Sequence, residues 1–407
     1  MLYDDDLRRQ CQVKLWDHFE QRIRSQFKRL LEAFMEYERD QMLGCEPFER
    51  TPRRRGYRNG FQPRTVDTKW GTVLLRKPRI RGAQAPFDTL VLERYQRRQR
   101  DVDEAVLQWL GCAMSTREVS DTLARIFGGA LSAGGVSLVV ARLDAQIRAF
   151  HHRSLERGYR YVYFDAKHGY VSHKRKRRGR GKKKKAALLL AWGVRHDEIE
   201  ELIDFRVADS ESEQDWTKFI TELEGRGLRK ENRWGQRLEM LVTDGAPGLL
   251  AAFWMVYPTT PKQRCVFHKV QDITDHLEDR ANRKAILASA GAIYEGLQTP
   301  QQANLRLARW MARWKETEPE AARNFAYRFD DTLIYLNAPP KWRNRLKTTN
   351  PIERLIQELN KKFRKAGVFP SAQSWERAAY IVWRKLQQQG YAPTARDPRS
   401  ALFTHTT

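Results

Sequence analysis

The sequence predicts an α/β core with helical segments in front of it and another helical segment set into it. Three observations lead there. Continuous apolar runs of strand length recur from residue 161 onward. Two of them, Tyr161-Val162-Tyr163-Phe164 and Met240-Leu241-Val242-Thr243, run straight into an aspartate, Asp165 and Asp244. Helical periodicity fills much of the chain before residue 155 and again from about residue 268 to 346.

Composition narrows the partners. The 407 residues include 75 Lys plus Arg against 50 Asp plus Glu, a formal net charge of +25, and 41% are hydrophobic. That is enough chain for two or three cores. A protein this basic repels itself unless a polyanion neutralises it. Nucleic acid is the polyanion that suits a globular chain with 12 Trp and 18 Phe. A membrane surface is the weaker alternative, because no apolar run is long enough to span a bilayer. The start, with Asp4-Asp5-Asp6, does not read as a signal peptide. The cysteines Cys11, Cys45, Cys112 and Cys265 form no CxxC pair, which argues against a disulfide framework and for a reduced, cytoplasmic compartment.

Residues 1–46 read as one amphipathic helix, with Trp16, Phe19, Ile23, Phe27, Leu30 and Phe34 at spacings of three and four. It either packs on its own domain or joins two copies of the chain. Residues 47–100 lose that period. Arg53, Arg54, Arg55 and Arg58 precede a Gly-Phe-Gln-Pro turn and a short strand, Val73-Leu74-Leu75. Basic side chains there suit a phosphate backbone, or a solvated surface. Residues 101–155 predict three helices. The box Ser115-Thr116-Arg117-Glu118 starts one, Gly128-Gly129 stops it, and Val136 to Phe150 mark the next. Two helices about a short Gly-containing turn are helix-turn-helix-like and could contact DNA.

Residues 156–267 hold the strands. After Asp165 a second strand is expected at Tyr170-Val171, and another at Leu188 to Val194. Between them lies Lys174-Arg175-Lys176-Arg177-Arg178-Gly179-Arg180-Gly181-Lys182-Lys183-Lys184-Lys185. A block of like charge cannot pack, so it is expected to be a hairpin loop, solvated or bound to anion. A localisation signal is one reading. A clamp on DNA phosphates is the better one, because the loop grows from the same sheet as Asp165. Leu202–Val207 and Arg264-Cys265-Val266-Phe267 are further expected strands, with a helix over Glu213–Leu223. Residues 268–346 are helical and hold Trp310, Trp314 and Trp342, either core residues or a stacking surface for a displaced base. Residues 347–392 open with Asn350-Pro351-Ile352-Glu353 and end in a helix capped by Ser371 or Ser374. Residues 393–407 form a loose tail.

An aspartate at the end of a buried strand costs desolvation unless a cation neutralises it. It also serves as an ordinary turn former or helix cap, and Asp244-Gly245-Ala246-Pro247 fits that use. Two aspartates on neighbouring strands repel, and a metal resolves the conflict. Hard oxygen donors with no thiolate or histidine cluster select Mg2+ or Mn2+. Cys265 and His268 alone are too few for a zinc site.

Several segments resemble the Mutator-type transposases of bacterial insertion sequences. They are Glu93-Arg94-Tyr95-Gln96-Arg97, Ser115-Thr116-Arg117-Glu118-Val119, Phe164-Asp165-Ala166, Thr243-Asp244-Gly245, Arg264-Cys265-Val266-Phe267-His268, Thr349-Asn350-Pro351-Ile352-Glu353-Arg354-Leu355 and Gly367-Val368-Phe369-Pro370. They run in family order over most of the chain. The resemblance implies an α/β ribonuclease-H-like catalytic core with an all-α insertion, preceded by helical and helix-turn-helix-like DNA-binding regions. It implies a catalytic and metal-holding triad of Asp165, Asp244 and Glu353, with two Mg2+ (or Mn2+) ions per site. It implies a prokaryotic enzyme that binds double-stranded DNA at the inverted ends of its own element and at a target, as a homodimer or higher oligomer, and that cuts and joins strands. His268, Arg354, Lys361 and Lys362 are then expected near the DNA. The alternatives are a nuclease or resolvase of the same fold that does not join, and an inactive DNA-binding regulator.

Overall fold

The computed structural model describes residues 5–68, 71–92, 100–111, 114–127, 132–173 and 182–388. The segment 93–99, the glycine pair 128–129, the basic residues Lys174, Arg175, Lys176, Arg177, Arg178 and Arg180, and the tail 393–407 lie outside them. No helix among the described residues is long and apolar enough to cross a membrane. The chain divides into two compact units, Met1–Ala141 and Arg142–Thr407.

The first unit begins with α1 (Asp5–Leu43) and a hairpin of β1 (Tyr57–Thr68) and β2 (Gly71–Arg81). Toward its end, Leu31 and Met35 meet Val66, Val73, Leu75 and Leu92, and Leu43 is buried. Of the stripe expected from sequence, Trp16, Phe19, Leu30 and Phe34 are exposed and Ile23 and Phe27 are half-buried. The expected Gly-Phe-Gln-Pro turn is instead inside β1. The ladder shifts register between Arg58 and Phe61, and Gly60 takes the positive φ of 68° that this irregularity needs. Three helices follow, α2 (Arg100–Gly111), α3 (Thr116–Phe127) and α4 (Ala133–Ala141). The capping box is present: Glu118 N–H donates to Ser115 Oγ, and Ser115 N–H donates to the Glu118 carboxylate.

The helix expected from Val136 to Phe150 is broken at Arg142. Its second half, α5 (Leu143–His152), belongs to the second unit. The reason is packing: Phe150 meets Phe205, Tyr380 and Trp383, and Asp144 takes a two-pronged ion pair from Arg377.

The second unit is built on five strands in the order β5-β4-β3-β6-β7. They are β3 (Tyr159–His173), β4 (Lys182–Arg195), β5 (Glu200–Ala208), β6 (Met240–Thr243) and β7 (Lys262–Arg264). The first three form an antiparallel meander, and β6 and β7 add parallel to β3. The fold is therefore mixed α/β. Helices α6 (Glu213–Gly225) and α7 (Pro247–Val256) cover one face over Val162, Phe164, Leu189 and Leu241. The other face meets α5, α13 (Asn350–Ala366) and α14 (Ala372–Gln388).

Two strand expectations change. Asp165 is inside β3, not at its end, paired with Leu190 in an unbroken ladder that reaches His173. Lys182–Lys185 are strand residues opposite Tyr170–His173, so the last four residues of the expected loop belong to β4. In this ribbon an alternating backbone ladder tolerates charge, because side chains leave on both faces.

Between β7 and α13 lie α8 (Val266–Gln271), α9 (Arg283–Ala292), α10 (Pro300–Trp314), α11 (Pro319–Ala326) and α12 (Pro340–Leu346), with short 3-10 turns. So Cys265-Val266-Phe267 starts a helix, where a strand was expected. Trp310, Trp314 and Trp342 are buried, and the first two indoles both donate to Ser289 Oγ. They are core. Gln263 ties this helical part to the sheet edge, accepting from Tyr335 N–H and donating to Thr332 O.

Candidate active site

Asp165 and Asp244 are neighbours because β3 and β6 run parallel in register. Phe164 is level with Thr243, the last residue of β6, so the residue that follows each of them is the aspartate. Asp165 is only 6% exposed, and its Oδ1 accepts from Ala166 N–H at 2.7 Å. Asp244 Oδ1 accepts from Ala246 N–H and from Thr243 Oγ1. The turn-forming use of Asp244 is thus real, and it fixes the carboxylate beside Asp165. Gly245 follows because its φ is 99° and a methyl group there would meet Arg264 Nε at 2.4 Å.

Glu353 comes in on the first turn of α13. Ile352, Leu355 and Leu359 form the buried stripe of this helix, so Glu353 stands beside that stripe. The helix start is anchored to the strands. Thr349 Oγ1 donates to Cys265 Sγ, Val266 N–H donates to Lys347 O, and Cys265 N–H donates to Thr243 O at 2.7 Å. The Cys-x-x-His segment is therefore the joint between the second aspartate and the glutamate helix. One turn after Cys265, His268 faces the aspartates.

Electrostatics bind the four groups into one site. Burial first, then the charge of Asp244, pushes the Asp165 carboxyl up to about 7; Glu353 adds to the rise, and His268 and the Ala166 N–H oppose it. For His268 burial works against the charged form, but the Cys265 sulfur and then Asp165 and Asp244 hold it up at about 10. Among the described residues, no three His, Cys, Asp or Glu side chains converge tightly enough to hold a metal ion. The donor set still fits a hard divalent ion: oxygen donors, one of them buried and driven toward neutrality by its neighbours.

A fourth carboxylate escaped the sequence reading. Glu211, on the β5–α6 connection, is 17% exposed and 3.1 Å from His168 Nε2. Burial and then Asp244 push its carboxyl up to about 7. No strand end or motif flags it, and only the neighbouring helix cap Ser212 could have drawn attention to the loop.

The basic candidates separate by environment. Arg58 pairs with Asp40 and donates to Cys45 O and Glu46 O, so it holds the α1–β1 junction. Arg54 and Arg55, with Arg50, line a cleft of about 1020 Å³ that has no acidic residue in its wall. Arg54 stacks over Tyr57 at 4.9 Å, and Arg53 is exposed outside the cleft lining. Lys183, Lys184 and Lys185 are exposed on β4, Lys184 pairing with Asp209, and Lys182 continues the same strand. On α13, Arg354 is exposed, Lys361 pairs with Glu358, and Lys362 is half-buried.

The chain matches the family model described as Transposase, Mutator family, over residues 3–391. It is 31% identical to the transposase for insertion sequence element ISRM5 of Rhizobium meliloti (strain 1021), across 86% of this chain and 84% of that protein. It is 31% identical to the transposase for insertion sequence element IS406 of Burkholderia multivorans (strain ATCC 17616 / 249), across 86% and 87%. Among solved structures, a chain of the Drosophila P element transposase strand transfer complex aligns over 75% of this chain and 80% of its own, at a TM-score of 0.31 and 10% identity. The chain belongs to the Mutator family of DNA transposases.

Proposed function

We propose that this transposase cuts and joins DNA strands at Asp165, Asp244 and Glu353, using Mg2+ or Mn2+, at the inverted ends of its own element. The observation that carries this is the pair of aspartates that follow level residues of parallel neighbours, one of them buried and driven toward neutrality by that burial and by the other. The strand order β5-β4-β3-β6-β7, antiparallel then parallel, supports a ribonuclease-H-like core. Asp165 and Asp244 would hold the metal, with Glu353 completing the set. When bound, a pair of divalent ions activates the attacking oxygen and stabilises the leaving oxygen of a phosphodiester.

The chain's own residues do the rest. Water cuts one strand and frees a 3′-hydroxyl, which then attacks a second phosphodiester. His268, held cationic beside the aspartates, offsets their charge and favours approach of a phosphate. Lys183, Lys184 and Lys185 present positive charge along the ribbon that continues from Asp165. Arg50, Arg54 and Arg55 offer a second anionic-backbone contact in the first unit. The exposed apolar side chains Trp16, Phe19, Leu30 and Phe34 on α1 support self-association.

Asp165→Asn, Asp244→Asn and Glu353→Gln are each expected to abolish Mg2+-dependent strand cleavage while binding of end DNA stays within about twofold of wild type. Nicking retained by any of the three would overturn its assignment.

A further inference from the structure

Helix α7, which follows the Asp244 turn, carries no polar side chain from Pro247 to Val256. A helix that is apolar all round is ordinarily buried all round. This one is not. Leu249, Ala252 and Phe253 form a buried stripe in the core over the sheet. Pro247, Leu250, Ala251 and Trp254, at helical spacings of three and four, instead line a cleft of about 1070 Å³. Trp254 is 54% exposed. Gly245, the residue after Asp244, is in the wall of the same cleft, and Tyr327 and Ile334 enter it from the helical part between β7 and α13.

The backbone of Tyr327 is fixed while its ring is free. Its N–H donates to Arg323 O, its O accepts from the buried Lys269 Nζ at 2.9 Å, and the residue is 69% exposed. The cations of the cleft are occupied within the chain. Arg264 pairs with Asp272 at 2.6 Å and Arg328 with Asp331 at 2.7 Å. Lys262 Nζ donates to Tyr257 O, Pro258 O and Thr260 O, and Lys269 Nζ also donates to Asn324 O. Lys262 covers one face of the Trp254 ring at 3.9 Å, and the indole still stands half open. The arginine cleft of the first unit has no acid in its wall and suits phosphate. Here charge is matched, and the unmet surface is apolar and aromatic. It fits a flat ring. DNA presents a ring face only where a strand is unpaired, because a duplex hides its bases in the stack.

We propose that this cleft takes an unpaired nucleobase of the strand that lies on Asp244, stacked on Trp254 and Tyr327. This rests on the reading of Asp244 as part of the cutting site. The base leaves the line of phosphates at the Gly245 end of the cleft and lies along the apolar face of α7.

The test is fluorescence anisotropy of the full chain without divalent metal, using two labelled probes of equal length. One is oligothymidylate; the other is its abasic counterpart, with the same phosphates and no bases. Wild type is expected to bind oligothymidylate about tenfold more tightly than the abasic probe. Trp254→Ala should remove most of that preference and Tyr327→Ala part of it, while Trp254→Phe keeps part. Affinity for the abasic probe should stay at the wild-type level in all three, and so should the unfolding midpoint, because both side chains are exposed. Equal affinity of wild type for the two probes overturns the proposal. So does a preference that survives in both alanine variants, or one that is lost in Trp234→Ala, which removes an exposed indole outside the cleft. The carboxylates are tested apart from this, by Mg2+-dependent nicking. If Trp254→Ala loses the preference while Asp244→Asn still nicks, stacking in the cleft stands and the placing of that base on the cut strand falls with Asp244.

Discussion

Asp165 carries a cost that its neighbours impose. Its carboxyl is pushed up to about 7 from an ordinary 3.8 by burial and by Asp244. The folded value exceeds the unfolded one, so the metal-free fold carries no penalty below about pH 4. As pH rises from there to 7 the folded state is progressively penalised, by on the order of 4 kcal/mol for the full shift. Asp165→Asn is therefore expected to stabilise the metal-free protein at pH 8 and to be near neutral at pH 4, measured by urea unfolding at the two values. A variant no more stable than wild type at pH 8 would contradict the buried-charge account. The same scale shows why residue type alone misleads. Arg54 and Arg58 are both arginines in one basic run, yet Asp40 and two carbonyls occupy Arg58 while Arg54 lines an acid-free cleft.

At the scale of elements, the long ribbon of β3 and β4 needs a prop, since two strands alone are marginal in water. The prop is the turn between α13 and α14. Ser172 N–H donates to Phe369 O, Phe369 N–H donates to Tyr170 O, and the Phe369 ring stacks on Trp375 at 5.6 Å. Gly169 lets the strand lie on that indole, since a methyl group there would come within 2.6 Å of it. Phe369→Ala should cost about 3 kcal/mol of stability. Amide exchange should quicken across Tyr170–Ser172 and stay slow in β6; equal protection in the variant and the wild type would show that the prop is not needed. The Gly367-Val368-Phe369-Pro370 segment was legible as a motif, but its use as a strut for the basic ribbon was not, because the bridge spans two distant parts of the chain.

Across the whole molecule, a net charge of +25 sets the character of DNA binding. Neutralised phosphates release counterions, so affinity for end DNA should fall by at least about a thousandfold between 50 and 200 mM salt. Arg54→Gln with Arg55→Gln should flatten the dependence of log affinity on log salt by about 1 to 2 in slope. Arg58→Gln should lower the unfolding midpoint and leave that slope unchanged. Fluorescence anisotropy across a salt series reads both, and an equal change of slope in the two variants would remove the distinction drawn between these arginines.

Local pattern was enough for much of this protein. Periodicity and caps found α1, α3, α6 and β6, and the apolar runs found the core strands, because these signals act over a few residues. The segment Thr349-Asn350-Pro351-Ile352-Glu353 marked the start of a helix correctly, and Asp165 and Asp244 were singled out by apolar runs that end in charge. The tertiary structure decided the rest. It ran β3 through Asp165, because a ladder with β4 satisfies the backbone on both sides of the aspartate. It turned Cys265 into the joint that seats Glu353, gave α5 to the second unit, and brought Glu211 to His168 from a loop with no motif. Each of these depends on contacts between residues far apart in sequence, which short-range pattern does not encode.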